Sequence, residues 1–218
     1  MKIRLILLSL CGMLIGCAML QLAGRFQSGR QALLRNEPEQ ALPHFFEVAD
    51  RDPDYVYRSM DFSSGIWTYV GRTQYALGKL KEARQSLERA LAQEPNDDMA
   101  RLYLGLTLMR NGEYERGVKE LETAMRGLYD WLEYVERTQP FEVYWDPGRG
   151  IRSAIEKELE RIKAKDFDRD ELIANAEWLG MRMEEEIDWA RRDRRRQRER
   201  ERDRDGRRGV LFGLGIGF

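Results

Sequence analysis

The side chains best suited to chemistry in this 218-residue chain are two thiols, Cys11 and Cys17, and one imidazole, His44. They form no cluster with metal-ligand spacing, so neither a zinc nor a haem site is expected. There is no Gly-x-Ser-x-Gly elbow, no glycine-rich phosphate loop and no Cys–His pair. Most carboxylates stand beside Arg or Lys, as on solvated helix faces, which leaves only a hidden glycosidase-type carboxylate pair as a route to catalysis. We therefore expect a non-enzyme without a cofactor. Cys17 draws attention for its setting. Lys2 and Arg4 precede a short apolar run, Leu5 to Ile15, which ends in Leu14-Ile15-Gly16-Cys17. That run falls short of the roughly 20 residues of a membrane span. Residues 1–16 read as a signal peptide rather than an anchor helix.

The end of that segment resembles the lipobox of bacterial lipoproteins: a branched apolar residue, a variable one, a small one, then cysteine. The resemblance implies cleavage before Cys17, diacylation of its sulfur and acylation of the new amino terminus. Cys11 fits less well, because Leu10 is too bulky for the small position. Two or three acyl chains hold a protein on a membrane almost permanently, whereas one is marginal. Ala18, rather than Asp, follows the cysteine, which by the same resemblance implies the periplasmic face of the outer membrane. With Cys17 consumed by lipid, no disulfide is available and stability must come from packing.

What remains must be positioned by helices. Trp67, Gly71, Gly78, Ala83, Leu87, Ala90 and Pro95 stand at the spacings of the tetratricopeptide repeat, which this segment resembles. A period of 34 residues places Gly105, Gly112, Leu121 and Ala124 under Gly71, Gly78, Leu87 and Ala90. A weaker copy lies upstream, with Gly29, Ala41, Phe45 and Pro53, and about eight residues are inserted after it, near Asp54 to Asp61. Small residues suit close helix crossings, and proline at 95 stops a helix. Arg101 and Gly117 depart from the pattern without breaking it. The expected fold is all-α: a tetratricopeptide-repeat helical solenoid over 17–137, with three repeats near 22–55, 64–97 and 98–131. Capping helices and an aromatic loop fill 138–190, and a charged tail fills 191–218.

Beyond the repeats, a further helix is expected from Leu128 to Arg137, then a loop from Pro140 to Gly150 rich in rings. Ile151, Ala154, Ile155, Leu159 and Ile162 recur at helical spacing and fit a cap on the last repeat. A second helix starts with a capping box, Asp168 and Glu171, and carries the stripe Leu172, Ile173, Ala176, Leu179, Met183, Ile187, Ala190. After that, residues 191–208 hold 11 arginines against 5 acidic residues. This run reads either as a projecting helix held by pairs four apart or as a disordered charged strand. Val210, Phe212, Leu214, Ile216 and Phe218 alternate with Leu211, Gly213, Gly215 and Gly217, as in a strand that pairs with a partner's edge or dips into a membrane.

The repeat resemblance implies a peptide-binding groove lined by first helices. Carried over, its positions are Phe26, Arg30, Leu33, Thr68, Arg72, Tyr75, Leu102, Leu106, Met109 and Arg110. An apolar floor with three basic residues suits an extended or helical peptide with some negative charge. The expected function is an anchored adaptor for envelope proteins. Repeat lipoproteins of this kind serve in pilus secretin assembly, barrel-protein assembly and recruitment of wall hydrolases. The alternative is a polyanion- or lipid-binding module using the Arg-rich tail. Its interspersed acids lower the phosphate-contact count that drives affinity, which weakens this alternative for lipid and nucleic acid alike, and nucleic acid is not expected as a partner. No small-molecule substrate is expected.

Overall fold

Three glycines share one relation to a bulky residue 16 positions later. A Cβ on Gly29 would lie 2.7 Å from the Phe45 ring, one on Gly71 2.5 Å from Leu87, and one on Gly105 2.8 Å from Leu121. Each glycine lets the first helix of a pair press against the second. Seven residues after each glycine the chain turns with positive φ, at Asn36 (57°), Gly78 (71°) and Gly112 (83°). Asn takes the turn of the first pair because, after glycine, it tolerates that region best. The three helix pairs are therefore one unit repeated.

The computed structural model describes residues 20–59, 62–138 and 145–213. Helix α1 covers 20–34. It is followed by α2 (Pro38–Arg51), β1 (Val56–Ser59), β2 (Phe62–Gly65), α3 (Ile66–Ala76), α4 (Leu80–Gln93), α5 (Asp98–Arg110) and α6 (Tyr114–Thr138). Two more helices close the order, α7 (Gly150–Ala164) and α8 (Arg169–Gly213). The architecture is an all-α helical solenoid with one small hairpin. A single continuous core runs from Leu22 to Ala190.

The inserted segment after the first repeat is the hairpin. β1 and β2 pair antiparallel, with Val56 opposite Gly65 and Ser59 opposite Phe62. Tyr57, Ser59, Phe62 and Ser64 are its buried residues. Tyr57 stacks on Phe26, with ring centroids 4.9 Å apart. Phe62 meets Trp131 edge-on at 5.7 Å, and Trp131 meets Trp145 at 4.8 Å. Asp97 ties the hairpin to the second and third repeats. Its Oδ1 accepts from the Ala100 N–H at the start of α5, while its Oδ2 accepts from Ser64 Oγ, the Gly65 N–H and Thr68 Oγ1.

Beyond the repeats the structure corrects several expectations. Leu128 to Arg137 is not a separate helix; it continues α6, with Leu128, Leu132 and Val135 buried. Residues 140–144 of the ring-rich loop lie outside the described residues; its Trp145 is buried. Asp146, also buried, accepts from the Ile151 and Arg152 N–H groups at the start of α7 and from Arg152 Nε. Helix α7 packs on α6 and α8. The α8 capping box is half made. Asp168 Oδ1 accepts from the Glu171 N–H, but the Glu171 carboxylate pairs with Arg161 instead of turning back. The charged run after Ala190 is helical, braced by Asp188–Arg192 at 3.3 Å and Arg195–Glu199 at 3.3 Å. Residues 210–213 continue that helix, so the strand expected there does not form over them; 214–218 lie outside the described residues.

The repeat groove and the helix that fills it

The first helices α1, α3 and α5 present the residues expected to line a groove, and most of them are buried. Phe26, Arg30, Thr68, Leu102, Leu106 and Met109 are at most 1% exposed, Arg72 is 4% and Tyr75 7%. Leu33 is partly buried and Arg110 is exposed. The expectation of an open groove awaiting an external peptide is corrected here. Polar members of the set, Arg30, Arg72, Tyr75 and Arg110, bond instead to helix α8 of the same chain. The reason is legible in the stripe of α8. Leu172, Ala176, Leu179, Met183, Ile187 and Ala190 recur every three or four residues, and all are buried.

One carboxylate organises the contact. Glu184 of α8 is 3% exposed and sits between Arg30 of α1 and Arg72 of α3. Arg30 Nε donates to Glu184 Oε1 at 2.5 Å, and Arg72 Nη1 donates to Oε2 at 2.6 Å. Burial alone would raise the Glu184 pKa. The guanidiniums of Arg72 and Arg30 outweigh it and hold the carboxylate below its ordinary value. Two cations facing one anion leave a surplus positive charge. Ring faces take it up: Arg30 lies 4.7 Å from the centroid of Tyr57, and Arg72 lies 4.9 Å from Tyr103 and 5.2 Å from Tyr69.

A second contact lies about two turns nearer the start of α8. Tyr75 donates its hydroxyl proton to Glu177 Oε1 at 2.5 Å and accepts from Arg110 Nε at 2.6 Å. Arg110 Nη2 reaches the same Glu177 oxygen at 2.5 Å. Burial, followed by the Glu177 hydrogen bond, lifts the Tyr75 phenol above its ordinary value. Between Glu177 and Glu184, Gly180 lets α8 approach α5; a Cβ there would stand 2.7 Å from the Tyr103 hydroxyl.

Sequence reasoning identified the receiving residues and missed the donated ones, Glu177, Gly180 and Glu184. Glu184 carried no distinguishing signal, because it stands in the run Glu184-Glu185-Glu186 beside the apolar stripe. The site can hold an amphipathic helix carrying two acidic residues one turn either side of a glycine. It shows no bond-making chemistry.

Cys17 lies outside the described residues, and no described helix is long and apolar enough to cross a membrane. No curated protein matches the chain. The family model of the tetratricopeptide repeat matches residues 71–129, which span the second and third helix pairs from the crossing glycine of α3 into α6. Repeats of this family serve in protein–protein interaction and scaffolding. The chain is a tetratricopeptide-repeat-containing protein whose repeats form an all-α solenoid.

Proposed function

We propose that the protein is a lipid-anchored adaptor on the periplasmic face of the outer membrane, holding an envelope protein during assembly of envelope or pilus-secretion machinery. Support for the anchor is Leu14-Ile15-Gly16-Cys17 after a short apolar run. Support for the adaptor role is the repeat fold. The observation that carries the reading concerns where a partner would bind. The groove is occupied by α8, and the outward face of that helix exposes Trp178 (39%), Met181 (52%) and Trp189 (51%). At 100° per residue these three fall within one narrow face. Half-exposed tryptophans on the packed part of this helix are of the residue type enriched at binding hot spots. The partner-binding surface is thus the back of α8, in place of the groove floor.

The test has two arms. Cys17→Ser should release the protein from membranes and block maturation, and an unmodified cysteine at the mature terminus by mass spectrometry would remove the anchor. Separately, cross-linking and co-purification from solubilised envelopes should recover a partner with the native chain. Trp178→Ser/Trp189→Ser should lose it while keeping the native melting temperature. Recovery of the same partner by both chains would remove the back of α8 as the binding surface.

A further inference from the structure

Past Ala190 the inner face of α8 changes character. Arg191, Arg194, Arg195 and Arg198 follow at intervals of three and four, so they continue the face that was apolar up to that point. There α8 leaves the groove and passes the hairpin. Together with Arg58 of β1 these four arginines line a cleft of about 630 Å³ between α8, the hairpin and the start of α1. Among the described residues, no carboxylate lines it. Arg191 donates to Gln27 of α1, and Arg195 is shared with Glu199. Among the described residues, the side chains of Arg58, Arg194 and Arg198 have neither a hydrogen bond nor an ion pair. Two acids of this stretch, Asp188 and Asp193, pair with Arg192 and Arg196, which do not line the cleft.

We propose that this cleft binds the phosphate groups of anionic lipid headgroups. Convergent guanidiniums, three of them without a carboxylate partner among the described residues, match phosphate oxygens, which accept paired N–H bonds. Place favours lipid as the source. Ala23 lines the cleft and lies six residues from Cys17, a reach of at most about 20 Å of extended chain. The argument from place rests on the proposed anchor; the chemistry of the cleft does not.

The experiment uses the full chain in neutral detergent micelles, so that acylation of Cys17 does not decide the outcome. Arginines are labelled with phenylglyoxal and read by peptide mass spectrometry. Micelles doped with short-chain phosphatidylglycerol should slow labelling of Arg58, Arg194 and Arg198 by about tenfold. Phosphatidylcholine should not, and neither lipid should protect Arg192 or Arg200 on the other side of the same helix. Protection should fade as salt rises. Arg58→Gln/Arg194→Gln/Arg198→Gln should keep the native helicity and melting temperature. It should weaken phosphatidylglycerol binding on the order of a hundredfold, at about fivefold for each arginine near an anionic surface. Equal protection of every arginine in the tail would overturn the proposal, as would protection by free glycerol phosphate equal to that by the lipid. Stronger protection by a single-stranded oligonucleotide at matched phosphate concentration would do the same. None of these results bears on the anchor, which stands or falls on the mass of the mature terminus.

Discussion

Glu184 is the residue whose removal should matter most. Its carboxylate is the only acidic partner that Arg30 and Arg72 have among the described residues, and both guanidiniums are buried. Breaking a buried pair by deleting one partner costs about 3–5 kcal/mol, because the other charge stays uncompensated. Glu184→Ala should therefore cost about that much and lower the melting temperature by roughly 2–4 °C per kcal/mol. The pH dependence has a definite sign. The folded pKa of Glu184 is depressed below its ordinary 4.5, so its contribution is full above 4.5 and is lost as pH falls through the lower folded value. The stability difference between native protein and Glu184→Gln should stay constant from pH 7 to about 5 and shrink at lower pH. A difference that grows on acidification would contradict the ionised triad. At this scale the receiving arginines were legible as groove positions. Their partner was not, because a groove alignment says nothing about which segment lies on top of it.

Repeat elements are held by close crossings, which can be tested one glycine at a time. Gly71→Ala gains up to about 1 kcal/mol of helix propensity. It also drives a Cβ to 2.5 Å from Leu87 Cγ and 3.2 Å from the Ala83 carbonyl, where overpacking costs about 1–3 kcal/mol. The clash should win, and Gly71→Ala should melt lower than the native chain. Gly24→Ala, in the exposed face of α1 with nothing within 4 Å of the new Cβ, should melt at the same temperature or higher. Equal effects at the two positions would undo the crossing assignment. These crossings were readable because a 34-residue period repeats both the small residue and its large counterpart. The hairpin was not. Strands of four residues, such as β1 and β2, owe their stability to distant rings, Tyr57 on Phe26 and Phe62 on Trp131, which no local pattern contains. The converse error arose at 210–213, where an alternating sequence extends α8 instead. A helix already running from Arg169 adds each residue with a backbone bond of its own, whereas a strand needs an edge to pair with.

Over the whole molecule, α8 divides at Ala190 into a part that completes the core and a part that projects. A chain ended after Ala190 loses two contacts with the removed part, the Arg191–Gln27 bond and the exposed Asp188–Arg192 pair, each worth at most about 1 kcal/mol. Its melting temperature, followed by circular dichroism, should fall by no more than roughly 4–8 °C. A chain ended after Asp168 loses the buried stripe Leu172, Ala176, Leu179, Met183, Ile187 and Ala190 and strands two buried arginines, so no cooperative melt should remain. If the shorter chain melted as cooperatively as the longer one, α8 would be an ornament on a self-sufficient stack. The joint between α7 and α8 gives the arrangement a further consequence. Residues 165–168 tether the groove to its occupant, and a short flexible tether sets an effective concentration on the order of millimolar. A free helix of equal intrinsic affinity, offered at a micromolar level, competes at a disadvantage of about a thousandfold. Peptide libraries screened against the intact chain would therefore select ligands for the back of α8 and for the arginine cleft, while true groove ligands went uncounted.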